Sequence, residues 1–181
     1  MDIHNGDEVN KEYRSRVVGQ EFARDKREDL FAATPPLEAK KALMSMAVTE
    51  GIGYRSGHRE LGMCIDYIDV SRAFFHADAL REVYVKLPEE DHEEGMCGLL
   101  GKSLYGTRDA AQNWEVAYTE FVKSIEFETG KASPCTFHQK EMDIRALVHG
   151  GDFAMLGSRK ALDWFRKRIE EKFATKYEGR M

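Results

Sequence analysis

Residues 144–156 constrain the fold more than any other stretch. Two apolar runs, 144–148 and 153–156, flank His149-Gly150-Gly151-Asp152. So short a link cannot carry a crossover, and its glycines supply the positive φ that tight turns demand. The two runs therefore read as a β-hairpin with a glycine turn. Residues 63–70 alternate and are rich in β-formers, so they read as a strand. Residues 82–87 read as a second strand, and a short third, 135–139, starts at Pro134. A helix is expected at 37–48, capped by Thr34 ahead of Pro35-Pro36 and stopped by Gly51 and Gly53. Asp109, with Gln112 three residues on, resembles a capping box for a long helix. That helix carries the apolar stripe Trp114, Ala117, Tyr118, Phe121, Val122 and Ile125. Ser158 caps a closing helix with Leu162, Phe165, Ile169 and Phe173 on its inner face. Met44, Met46, Trp114 and Trp164 read as core. Helices interleaved with hairpin-linked strands argue for an α+β fold, an antiparallel sheet with helices packed on one face.

At 181 residues, 42% hydrophobic and 33% charged, the chain is expected to form one soluble, globular domain. Its longest apolar run, 42–48 broken by Ser45, falls far short of the roughly 20 residues that span a bilayer, so no membrane partner is expected. The acidic, polar start Met-Asp-Ile-His-Asn-Gly-Asp-Glu does not read as a secretory signal. Three widely spaced cysteines, Cys64, Cys97 and Cys135, fit a reducing, intracellular compartment better than a disulfide framework. The formal net charge of −5 argues against nucleic-acid binding by bulk positive charge. The basic residues nevertheless cluster. Lys11, Arg14, Arg16, Arg24, Lys26 and Arg27 lie near the start, and Arg159, Lys160, Arg166, Lys167, Arg168 and Lys172 near the end. Acid gathers in Glu89, Glu90, Asp91, Glu93 and Glu94. Each run reads equally well as a solvated face.

Two carboxylates stand in unusual settings. Asp69 ends the strand at 63–70, facing away from Ile68 and Val70 by the alternation of strand side chains. Asp152 closes the glycine turn. If the hairpin pairs beside the first strand, both carboxylates meet at one edge of the sheet, an arrangement that can hold divalent metals for phosphoryl transfer. An acid in a hairpin turn also serves as plain turn chemistry. Cys135-Thr-Phe-His138 has a zinc-like gap, and Cys64, Cys97, His58, His76 and His92 occur elsewhere, but no second paired spacing completes four ligands. Gly150-Gly151 is not followed by the G-K-[ST] of a phosphate loop.

Six blocks in order resemble the reverse transcriptase domain of copia-type LTR retrotransposons. They are Tyr13-Arg-Ser-Arg-Val-Val-Gly-Gln-Glu-Phe22; Leu30-Phe-Ala-Ala-Thr-Pro35; Tyr67-Ile-Asp-Val-Ser-Arg-Ala-Phe-Phe-His-Ala-Asp-Ala-Leu80; Glu82-Val-Tyr-Val-Lys-Leu-Pro88; Gly101-Lys-Ser-Leu-Tyr-Gly-Thr-Arg-Asp-Ala-Ala-Gln-Asn-Trp114; and Ala132-Ser-Pro-Cys-Thr-Phe137. The resemblance implies a single partial domain over 1–181, with about 11–62 fingers-like and about 63–181 mostly palm. It implies that thumb, ribonuclease H and integrase lie outside the chain, and that template-primer grip is weak. It also implies RNA-directed DNA synthesis on an RNA or DNA template-primer from dNTPs, with Mg²⁺ or Mn²⁺. The remaining Pol domains would be partners, in a cytoplasmic particle or, second, the nucleus.

By the same resemblance Asp69 and Asp152 are the catalytic, metal-binding aspartates, and Phe74 lies under the incoming sugar. Arg16 clamps the triphosphate, and Tyr105 and Gly106 line the nucleotide pocket. Lys172 or Lys176 stands near a trailing phosphate-side lysine. Arg16 also reads as a surface charge and Phe74 as plain core. The chain departs from the family's Y-V-D-D turn, where it has His149-Gly150-Gly151-Asp152. Gly151 stands in place of the first aspartate, which with the Asp69 counterpart would hold two metals. Asp66, three residues back along the strand, faces the wrong way to substitute. One lost ligand is expected to cost several kcal/mol in the transition state, roughly a thousandfold in rate. The enzyme is thus expected to be weak or inactive in this copy. The alternative is a non-catalytic remnant that binds nucleic acid or protein.

Overall fold

The computed structural model describes residues 3–4, 13–14, 17–22, 30 and 32–181. In chain order its elements are β1 (Ile3–His4), β2 (Tyr13–Arg14), α1 (Leu37–Val48), β3 (Cys64–Val70), β4 (Tyr84–Val85), β5 (Gly98–Leu99), α2 (Ala110–Ser124), β6 (Phe127–Thr129), β7 (Thr136–Gln139), β8 (Ile144–His149), β9 (Asp152–Gly157), α3 (Arg159–Lys172) and β10 (Thr175–Arg180). Six strands form one antiparallel sheet in the order β10-β3-β9-β8-β7-β6. β1 with β2, and β4 with β5, make separate two-stranded ribbons.

The alternation along the strands sorts the core onto two faces. Ile68 and Val70 of β3, Ile144, Ala146 and Val148 of β8, and Phe153 and Met155 of β9 point toward α2 and α3. There they meet Trp114, Tyr118, Phe121, Leu162, Phe165, Ile169 and Phe173, so both expected helical stripes face the core, with Ala117 and Ile125 of the first only half-buried. Aromatic edges interlock through this layer, with Trp114 and Phe121 each edge-on to Phe173. The opposite face is covered by α1, whose Leu43 packs on Ile65, Leu147 and Leu156. The expectation of helices on one face is therefore corrected. The α1 pattern, with exposed Leu37, Met44 and Val48, buries only a narrow stripe, and that stripe lies across the sheet from α2 and α3. Met44 is accordingly not core.

Capping differs in two places. Pro36, not Thr34, occupies the N-cap of α1, and no side chain caps it. Asp109 does sit at the N-cap of α2 but does not cap it, because its carboxylate is taken by Arg81 and Asn113. Ser158 caps α3 as expected, accepting from the Ala161 N–H at 3.3 Å. The strand expected at 82–87 shrinks to Tyr84–Val85.

β10, which lacks an apolar alternation, is held by a buried ion pair. Arg180 Nε donates to Asp66 Oδ1 at 2.6 Å, and its Nη2 donates to Asp66 Oδ2 at 2.7 Å and to Asp163 Oδ1 at 2.7 Å. Asp66 is only 1% exposed. The Arg180 hydrogen bond and charge hold the Asp163 carboxyl below its usual value. Removing one partner of such a pair strands a buried charge, which costs far more than replacing both. Asp66→Ala should lower unfolding stability in urea by about 3 kcal/mol, whereas Asp66→Leu with Arg180→Met should fall much closer to the parent. Equal losses would contradict this account of β10.

Candidate functional site

The pairing of β3 with β9 sets Asp69 directly opposite Asp152. On the outer sides, Lys176 of β10 is the partner of Asp69, and His149 of β8 is the partner of Asp152. Directly opposed residues share a face of the sheet, so Lys176, Asp69, Asp152 and His149 form a row across four strands on the α1 face. The two carboxylates therefore meet as expected. Burial, then the charges of Asp152 and Glu178, push the Asp69 carboxyl above its usual value, against the opposing pull of Lys176. Lys176 Nζ also donates to Glu178 Oε1 at 2.7 Å. Lys172 lies instead beside Phe121, Trp164 and Arg168 on the α2–α3 side, so of the two lysines only Lys176 is at the row. Asp66 faces away, bound to Arg180.

The turn itself is pinned from two directions. The indole N–H of Trp114, a residue 1% exposed, donates to the Gly150 carbonyl at 2.7 Å, and the Val70 N–H donates to the Gly151 carbonyl at 2.9 Å. Gly150 has φ +61°, which favours glycine, whereas Gly151 has no positive φ and so does not require one. A Cβ added to Gly151 would lie 3.2 Å from Asp69 Oδ1, 3.0 Å from the Val70 carbonyl oxygen and 3.4 Å from Ala73 Cβ. Any side chain at 151 thus starts out against Asp69, after its neighbours give by a few tenths of an ångström.

Phe74 and Tyr105, brought to one place from separate segments, stack with ring centroids 4.4 Å apart and planes at 26°. Phe75 meets Tyr105 edge-on at 5.5 Å. Gly106 has φ +91°, and a Cβ there would collide with the Gly19 carbonyl oxygen. That close approach lets the Gly19 N–H donate to the Tyr105 carbonyl at 2.6 Å. Glu21 fastens the same segment: its Oε2 accepts from the Arg108 N–H at 2.9 Å and from Arg81, which also binds Asp109. Burial raises the Asp109 carboxyl, and the Arg81 hydrogen bond and charge more than reverse this, leaving it below its usual value. Arg16 lies outside the described residues, as do Lys11, Arg24, Lys26 and Arg27; of Arg14 only the backbone is described.

A hard divalent cation takes six or more oxygen ligands, and a pair of cations needs several shared carboxylates. Among the described residues no three His, Cys, Asp or Glu side chains are placed to hold a metal ion. Asp69 and Asp152 alone do not fit the two-cation set that the sequence resemblance implies.

The chain belongs to the reverse transcriptase (RNA-dependent DNA polymerase) family, whose profile matches residues 2–181. Within it, the relatives are Pol polyproteins of the copia (Ty1) type of retrotransposon. The Retrovirus-related Pol polyprotein from transposon TNT 1-94 of Nicotiana tabacum is 25% identical over 159 residues, covering 83% of this chain and 11% of that protein. The Transposon Ty1-MR1 Gag-Pol polyprotein of Saccharomyces cerevisiae is 27% identical over 118 residues, 65% of this chain and 6% of that protein. The chain thus spans about a tenth or less of these relatives' length. No solved structure gives a significant match. Among the described residues no helix is long and apolar enough to cross a membrane.

Sequence reading did not find Arg81 and Glu21 as a clamp, nor the Trp114 hydrogen bond, since neither involves residues close in the chain. The electrostatic link between the two aspartates is testable. A carboxyl raised above its unfolded value weakens the native state at neutral pH; the penalty fades as pH falls through the raised midpoint and is gone below the unfolded value. Asp152→Asn removes one raising charge. The Asp69 midpoint, followed by carboxyl ¹³C shifts, should therefore move down and neutral-pH stability should rise. An unmoved midpoint would separate the two residues.

Proposed function

We propose that this chain is an RNA-directed DNA polymerase domain of a copia-type retrotransposon whose nucleotidyl transfer is impaired because Gly151 stands where a metal-holding aspartate is required. The observation that carries this reading is the closeness of position 151 to Asp69: a Cβ there would be 3.2 Å from Oδ1. In this reading Asp69 and Asp152 are the surviving ligands for Mg²⁺ or Mn²⁺, and Phe74, braced by Tyr105, lies under the sugar of the incoming dNTP. Gly106 shapes the pocket beside it, Arg16 meets the triphosphate, and Lys176 rather than Lys172 stands on the phosphate side. The template-primer crosses the α1 face of the sheet, and residues of about 11–62 act as fingers over a palm of about 63–181. The partners are an RNA or DNA template-primer and the other Pol domains, in the cytoplasm or its particles.

The domain's support for such a site is intact: the row is in register, the turn is pinned and the aromatic pair is stacked. What is lost is one oxygen donor. A non-catalytic remnant that binds nucleic acid or protein is the second reading, favoured by the same Gly151, and one experiment separates the two. Primer extension on an RNA template with Mg²⁺ and then Mn²⁺ should show the parent inactive or nearly so. Gly151→Asp should extend at least about a thousandfold faster, and Asp69→Asn in that background should abolish the gain. A parent that extends, and loses this on Asp69→Asn, would contradict the impairment. Failure of both chains would favour the binding remnant.

A further inference from the structure

Segment 17–22 lies against the loop 104–108 with little apolar burial to hold it there. Val17, Val18 and Phe22 are 73%, 50% and 75% exposed, so the hydrophobic effect contributes little to its placement. Polar ties do the holding. The Gly19 N–H donates to the Tyr105 carbonyl at 2.6 Å, and Glu21 Oε2 accepts from the Arg108 N–H at 2.9 Å. Arg81 fixes the second tie from outside. Its Nη2 donates to Glu21 Oε2 and, at 3.1 Å, to Asp109 Oδ1, while its Nε lies 3.0 Å from Asp109 Oδ2. Asp109 is 5% exposed and accepts from the Asn113 amide as well, so the anchor is itself held. One guanidinium thus bridges a carboxylate of the segment to one at the start of α2, a task that its planar fork suits. Burial raises the Glu21 carboxyl, and the Arg108 N–H with Arg81 more than reverses this, so the bridge joins ionised groups at neutral pH.

The loop so held carries Tyr105, whose ring stacks on Phe74 at 4.4 Å. The ties fall at 105 and 108. Between them lies Gly106, with φ +91°, the point at which this backbone pivots most freely once released. We propose that Arg81 and Glu21 are positioning residues: by bridging segment 17–22 to Asp109 they fix the Gly106 pivot, and with it the Tyr105 ring on Phe74, in the arrangement that receives an incoming nucleotide. This rests on the reading of Phe74 and Tyr105 as the nucleotide pocket. Neither Arg81 nor Glu21 meets the nucleotide; both act through the loop.

Arg81→Met keeps the stem and removes the bridge. Glu21→Gln keeps the shape and removes the charge, and serves alone where Arg81→Met does not fold. Ring ¹³C shifts of Phe74 and Tyr105 are recorded for the parent and each variant, then followed during titration with dTTP as its Mg²⁺ complex. Each variant should move both rings' shifts in the free chain and weaken dTTP binding about tenfold. The double variant should weaken it little further, because the two residues act through one bridge. A merely structural role would lower the thermal midpoint and leave ring shifts and the folded chain's affinity unchanged; that result overturns the proposal. Phe74→Ala, followed at Tyr105, tests the underlying reading separately. If it weakens dTTP binding and the bridge variants do not, the proposal is overturned and the pocket reading stands. If the parent binds no dTTP, or Phe74→Ala binds it as the parent does, the pocket reading falls and the proposal falls with it.

Discussion

The antiparallel register between β3 and β9 is the constraint from which the candidate site follows. A slip of one residue would send Asp69 to the α2–α3 face and bring Asp66 to the other. Both faces of β3 resist such a slip. Ile68 and Val70 are committed to the aromatic layer under α2 and α3, and Ile65 to the patch under α1. Asp66 is committed as well, since Arg180 reaches it only on the face where it lies. With the register fixed, Lys176 and His149 are placed without further choice, because β10 and β8 pair outward from the same two strands.

Much of this was legible from the chain. The apolar runs around Gly150-Gly151 could form nothing but a hairpin, and the stripe from Trp114 to Ile125 matched a helix laid on a sheet. Legibility ended where long-range polar contacts decide. Thr175–Arg180 carries no apolar alternation, so β10 was invisible: its place comes from an arginine finding Asp66 across 114 positions of sequence. Asp109 carried the signature of a cap, but burial next to Arg81 gave it a stronger partner than the helix N-terminus. The face chosen by α1 was equally hidden, since its narrow apolar stripe does not say which side of a two-faced sheet it will cover.

Under the proposed function, the fold outlasts one of its ligands. Glycine at position 151 costs no buried apolar surface and leaves both carbonyls of the turn hydrogen-bonded, so nothing in the core registers it. It removes like-charge repulsion beside Asp69 as well, a carboxyl already disfavoured by burial and by Asp152. On that reading a chain released from its chemistry keeps this glycine without loss of stability, while Trp114, Phe74, Tyr105 and Gly106 keep their packing around the turn and the aromatic pair.

The proposal at the centre is geometric: on it, position 151 is where an oxygen donor beside Asp69 belongs. Crystals of the Gly151→Asp chain soaked in Mn²⁺, with the ion located by anomalous scattering, test it most directly. The account predicts a peak within bonding distance, about 2.2 Å, of oxygens from both Asp69 and the new carboxylate. A folded chain with no peak there, or with Mn²⁺ bound at a site that does not include Asp69, would contradict it.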